Sequence, residues 1–195
     1  LVLGDIAGQT SRIWSAPIEG PIESGLFLFD ESATTCFALG ALVPPGSNRL
    51  LYLLSCDTPS GYRANQAWSV PLAGPAAAGV SLAGSFVAGG EIATLLYSPD
   101  GQFFVFRADK SIDGQFDLWS VPLAGPIASL VRLNPSLAAD GDVTTRVAIS
   151  PDSSAVAYVA DQVTDETYRA WSVPISGPSG DATPLVSGIL PVGRD

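Results

Sequence analysis

The chain has 195 residues, 47% of them hydrophobic and 14% charged, which is long and apolar enough to bury a sizeable core. Its formal net charge of −10 argues against nucleic acid and against anionic membrane surfaces, since both are bound through basic clusters. It has no histidine and two cysteines, which excludes Ser-His-Asp and Cys-His catalysis, His-ligated metals and a four-thiolate zinc site.

From the N-terminus onward, four hydrophobic runs end in an aspartate: L-V-L-G-D at Asp5, L-Y-L-L-S-C-D at Asp57, F-F-V-F-R-A-D at Asp109 and V-A-Y-V-A-D at Asp161. Successive aspartates stand 52 residues apart. A tryptophan follows each of them, opening W-S-A-P-I-E-G-P at Trp14, W-S-V-P-L-A-G-P at Trp68 and again at Trp119, and W-S-V-P-I-S-G-P at Trp171. Ahead of the last two runs stand S-P-D-G (Ser98–Gly101) and S-P-D-S (Ser150–Ser153), and ahead of the second the longer V-P-P-G-S-N. A fixed period of this length marks a repeat architecture.

One repeat reads as four short strands. Strand A covers Ile92–Tyr97 or Thr145–Ile149, and a Pro-Asp turn follows, because Pro presets φ and Asp bonds the backbone two residues on. Strand B covers Phe103–Arg107 or Ala155–Val159, and a variable polar loop leads to strand C with its Trp motif. A Gly-Pro turn then leads to strand D, for example Leu130–Leu133. In strand C, Trp68, Val70 and Leu72 alternate with Ser69 and Pro71, so period two sets the first three on one face. No segment sustains a 3.6-residue period, so almost no helix is expected. A four-stranded sheet of this size cannot cover both of its faces alone, whereas sheets stacked around an axis bury both. The tryptophan is then a wedge between sheets, and its truncation to Ala costs about 3–5 kcal/mol where it is fully buried.

The order S-P-D-G, hydrophobic strand, Ala-Asp, polar loop, W-S-V-P-L-x-G resembles the β-propeller repeat of the TolB type, a WD40-like family in the broad sense. The resemblance covers nearly the whole chain. It departs at Pro44-Pro45, and the turn is missing from the first unit. It implies an all-β propeller of four-stranded antiparallel blades, divided at about 1–33 (incomplete), 34–86, 87–138 and 139–190. It further implies a bacterial periplasmic or secreted location and a role as an interaction platform or companion domain. Three readings of the blade count stand open: a four-bladed ring closed by the tail, part of a propeller of six to eight blades, or two partial rings joined through open blade ends. A chain that opens at Leu1 and has no Met is expected to be a processed or excised segment.

Cys36 and Cys56 fall almost opposite each other if Val43 and Leu50 flank the first turn of their unit, so a cross-strand disulfide is sterically possible, with two buried thiols as the alternative. The spacing of Asp109, Asp113 and Asp117, echoed by Asp161 with Asp165-Glu166, is wrong for a calcium loop, so Asp109 and Asp161 are read as caps of the B–C turn. Glu91, at the start of an inner strand, is the best-placed acid for carboxylate-based glycoside hydrolysis, a weak reading. Gly89-Gly90 lacks the Lys-Ser/Thr that a phosphate loop needs, and no cofactor is implied. Tyr52, Phe104, Phe106 and Tyr158 repeat in register with the tryptophans and read as core.

Recognition belongs where the repeat breaks down, in the B–C loops Thr58–Gln66, Lys110–Phe116 and Gln162–Arg169, with Tyr62, Arg63, Lys110, Asp113, Asp165 and Tyr168 as candidate contacts. The expected function is non-catalytic binding of a protein, peptide or glycan. The alternatives are a propeller that gates a separate hydrolase and a structural repeat of a surface or filament assembly.

Overall fold

The computed structural model describes residues 2–6, 10–15, 26–30, 36–59 and 61–185. They form four antiparallel sheets that follow one another along the chain. The first has three strands, β1 (Val2–Ile6), β2 (Thr10–Ser15) and β3 (Leu26–Asp30). The second contains β4 (Cys36–Leu42), β5 (Arg49–Thr58), β6 (Gly61–Pro71) and β7 (Val80–Ser81). The third contains β8 (Ile92–Tyr97), β9 (Phe103–Ile112), β10 (Gln115–Pro122) and β11 (Val131–Arg132). The fourth contains β12 (Val143–Ile149), β13 (Ala155–Ala160), β14 (Arg169–Pro174) and β15 (Thr183–Pro184). Within each sheet the strands pair in chain order, and the only helical turns among the described residues are single 3-10 turns after Gly74-Pro75, Gly125-Pro126 and Gly177-Pro178. This is an all-β, partial-propeller architecture.

Three hydrophobic clusters join consecutive sheets. Ile13 and Leu28 of the first sheet pack with Leu50, Leu54 and Val70 of the second. Leu51, Ala67 and Leu82 on the other face of the second sheet meet Phe104, Phe106, Val121 and Leu123 of the third. Val105, Leu118 and Leu133 meet Val156, Tyr158, Trp171, Val173 and Ile175 of the fourth. In the second, third and fourth sheets the Trp-motif strand thus turns its Trp-Val-Leu/Ile face toward the preceding sheet, as period two dictates. Trp171 is 8% exposed, but Trp68 and Trp119 are only part-buried, so the wedge in their sheets is carried mainly by Val70, Val121 and Leu123. Truncation of Trp68 or Trp119 therefore falls below the cost for a fully buried tryptophan. Trp14 lies in β2 opposite Val2.

The strands differ from expectation at the B–C end. β9 continues to Ile112 and β10 begins at Gln115, so Lys110–Gln115 is a tight hairpin rather than a loop. The turn is Asp113-Gly114, where Gly114 takes φ 83°, a left-handed conformation that glycine adopts without steric cost. In the second sheet β5 and β6 run to Thr58 and from Gly61. Of the second, third and fourth sheets, the fourth alone has an irregular B–C connection, from Asp161 to Tyr168.

The opposite end carries the A–B turns. Ser98 Oγ donates to Asp100 Oδ1 at 2.5 Å and Gly101 N–H closes on Ser98 C=O at 2.8 Å. Ser150 and Asp152 repeat the first bond at 2.5 Å, and the bonds from Ser150 and Ser154 hold the Asp152 carboxyl at about 2. The second sheet substitutes Pro44-Pro45-Gly46, closed by Ser47 N–H on Pro44 C=O at 3.0 Å.

Candidate functional site

The B–C rim is built by the hairpin tips β5–β6, β9–β10 and β13–β14 together with the connectors that bring the chain from one sheet to the next. Asp109 sits at the end of the buried part of β9, 2% exposed. Its Oδ1 accepts the Glu91 N–H at 2.6 Å and its Oδ2 the Gly114 N–H at 2.9 Å. One carboxylate therefore ties the entry of β8 to the hairpin turn. Asp161, 1% exposed, does the same in the fourth sheet, taking the Asp142 N–H at 2.5 Å and the Glu166 N–H at 3.0 Å. Asp57 is exposed and lies opposite Tyr62 in the ladder. Asp5 is in β1 opposite Ser11.

In the second sheet Cys36 and Cys56 face each other and form a disulfide with an S–S distance of 2.03 Å. The register from Leu42↔Leu51 to Gly40↔Leu53 shifts by one residue at Leu39, and that bulge brings Cys36 opposite Cys56.

Of the candidate contact residues, several are committed to the scaffold. Lys110 lays its stem beside Phe86, with Nζ 4.2 Å from the ring centroid, and donates to the C=O groups of Ala83 and Ser85, the latter at 2.7 Å. Burial pushes its ammonium down to about 8. The Asp113 carboxylate closes over Gly89, where an added Cβ would meet it at 2.7 Å. Arg63 pairs with Glu91 at 3.7 Å, which links the second hairpin to the start of β8 and occupies the acid of the hydrolase reading. Tyr168 is raised by burial and by the charges of Asp161 and Glu166. Asp165 is exposed.

Between the third and fourth sheets Arg107 donates to Val143 C=O and lies 3.7 Å over the Phe116 ring. Asp142 accepts the Phe116 N–H at 2.6 Å. Burial raises the Asp142 carboxyl, and Asp161 and Asp109 add to the rise, while the Phe116 N–H and Arg107 oppose it. Among the described residues no group of three or more His, Cys, Asp or Glu is arranged to hold a metal.

Beside the exposed Asp113, Asp165 and Glu166, apolar side chains remain open to a partner. The three most exposed large hydrophobic side chains of the described residues are Val163 at 61%, Tyr62 at 60% and Ile112 at 58%. All three stand on B–C connections, one in each of the second, third and fourth sheets. Tyr62 is braced by Phe37, with ring centroids 5.2 Å apart. Ile112 and Val163 were not singled out in the sequence. Their signal is an apolar residue inside an otherwise polar turn, beside Asp113-Gly114 and between Gln162 and Thr164.

No family model and no curated protein matches the chain. Solved structures do. The tricorn protease aligns with a TM-score of 0.53 and 11% identity over 78% of this chain and 17% of its own. A TolB structure from Agrobacterium tumefaciens aligns at 0.45 with 16% identity over 90% and 56%. The β-propeller domain of the Trilobed protease from Pyrococcus furiosus aligns at 0.47 with 12% identity over 80% and 42%. The chain thus spans little more than half of the TolB structure and less than half of the other two. With the sheet order, the likeness to the tricorn protease structure makes the chain a β-propeller in fold.

Proposed function

We propose that the chain is a non-catalytic binding module that holds a protein or peptide partner against its B–C rim. The observation that carries this reading is the placement of Tyr62, Ile112 and Val163, the most exposed large apolar side chains, on one rim of three consecutive sheets. Apolar groups repeated on a rigid rim are what an interface core needs, and the latches of Asp109, Asp161 and Lys110 supply the rigidity. Isoleucine and valine offer a sugar ring little to stack on, so a segment with its own apolar side chains fits better than a glycan. The exposed Asp113, Asp165 and Glu166 around them favour basic residues beside that segment. The Cys36–Cys56 disulfide supports a setting outside the reducing cytoplasm.

A peptide-display selection on the folded protein tests this. Selected sequences should combine apolar and basic residues and should weaken by about ten-fold or more on Tyr62→Ser, Ile112→Ser, Val163→Ser in combination, about 1.4 kcal/mol. Selected binders that hold the triple variant equally well would move the site elsewhere.

A further inference from the structure

The opposite rim carries a charge that the repeat does not call for. Arg49 opens β5 opposite Pro71, and the same register position holds Phe103 in the third sheet and Ala155 in the fourth. Its Nε donates to Ser69 Oγ at 2.6 Å and its Nη2 to Ser69 C=O at 3.0 Å. Those two groups form one side of the guanidinium fork. The other side, the end-on pair of N–H groups on Nη1 and Nη2, has no partner among the described residues.

No carboxylate answers this charge. Arg49 takes part in no ion pair among the described residues, and burial alone weakens its hold on its proton. The acid of the neighbouring turn, Asp100, is occupied by Ser98 Oγ and the Gln102 N–H. In a chain of net charge −10, a half-buried guanidinium without a counter-ion is a site for an external one. Space for it exists: Arg49, Ser47, Asn48 and Gln102 line a cavity of about 380 Å³ between the A–B turns of the second and third sheets.

We infer that this cavity is an oxyanion site, built on Arg49, that takes a carboxylate. A planar carboxylate matches the end-on fork with two parallel N–H bonds, and the Asn48 amide adds a neutral donor beside it. A single positive charge in an acidic protein suits a monoanion better than a phosphate or sulfate dianion. The carboxylate comes either from a small organic acid or from the C-terminus of a peptide. The site is independent of the apolar B–C rim at the other end of the sheets.

NMR titration of the isotope-labelled chain at constant ionic strength tests it. Sodium acetate, against sodium chloride, should produce saturable shifts of the Arg49 side chain, Ser47 and Gln102. Arg49→Ala should weaken them by about ten-fold or more. That variant keeps the fold, since Ala155 holds the same position in the fourth sheet. Asn48→Asp keeps Arg49 but supplies it with an internal carboxylate, and should also abolish the response. A tripeptide with a free C-terminus that binds more tightly than both acetate and its own C-terminal amide supports a chain terminus as ligand. A tripeptide that binds no more tightly than acetate supports a small acid. No saturable shift, an undiminished shift in Arg49→Ala, or saturation by sulfate or phosphate but not by acetate would overturn the assignment.

Discussion

The second sheet and the two that follow it fasten the same corner by different chemistry. Val143 pairs with Ala160 in the fourth sheet, Ile92 with Ala108 in the third and Cys36 with Cys56 in the second. The next residue along strand B is an aspartate each time. In the third and fourth sheets that aspartate turns inward and bonds two backbone N–H groups, one on the incoming connector and one on the B–C turn. In the second sheet it faces water and a covalent bond takes over. A repeat can thus conserve the letter and change its task. The corner answers to charge in two sheets and to redox state in one.

The largest expected effect breaks the charged version. Asp109→Ala removes two charge-assisted hydrogen bonds and leaves the Glu91 and Gly114 N–H groups without their acceptor. The loss should be about 4 kcal/mol, read from the urea midpoint. Asp161→Ala should cost a similar amount, whereas Asp57→Ala should stay within about 0.5 kcal/mol. Equal losses at all three positions would mean that the second sheet uses its aspartate as well. The covalent version is broken by reduction. Its cysteines lie 20 apart in sequence, so opening the disulfide should cost about 3 kcal/mol on the loop-entropy account. Hydrogen exchange should show the change in β4 and β5 first, with β12–β14 least affected.

The parts of this corner that can be read from the sequence are those that repeat. The 52-residue spacing, the Trp-Ser-Val-Pro strand and the A–B turns place the sheets, and the distance of each cysteine from the turn nearly places the disulfide. The bulge at Leu39 has no such signal, because a one-residue slip depends on how the two strands twist against their neighbours. The extension of β9 past Asp109 is hidden because Lys110 and Ser111 read as polar loop, yet the ladder continues to a tight Asp-Gly turn. Asp57, Asp109 and Asp161 look alike along the chain, and only the connector that reaches Asp109 and Asp161 separates them. Arg49 becomes visible once the sheets are superposed by register and its counterparts prove to be Phe103 and Ala155.

The smallest effect sharpens the comparison through Lys110, the chain's single lysine, which adds a second latch to the connector between the second and third sheets. Its ordinary value of 10.5 falls to about 8 through burial. Between those values the unfolded chain binds more protons than the folded one, so stability should rise with pH from about 8 upward. Below that range the full penalty of burying the ammonium is present. Deprotonation leaves two N–H groups, enough for the Ala83 and Ser85 carbonyls, so the latch survives the loss of charge. Above pH 10 the trend reverses, because Tyr52, raised by burial to about 12, and Tyr158, raised further, keep protons that unfolded tyrosines lose. Urea unfolding at pH 7.5, 8.5 and 9.5 should therefore show a rise in the wild type that Lys110→Met lacks. The methionine keeps the apolar stem against Phe86 and removes the titrating group, so a constant offset reads the lost hydrogen bonds and the difference in slope reads the burial. Parallel slopes would show that the ammonium keeps its water in the folded state, and a zero offset that its two hydrogen bonds add nothing to the Asp109 latch.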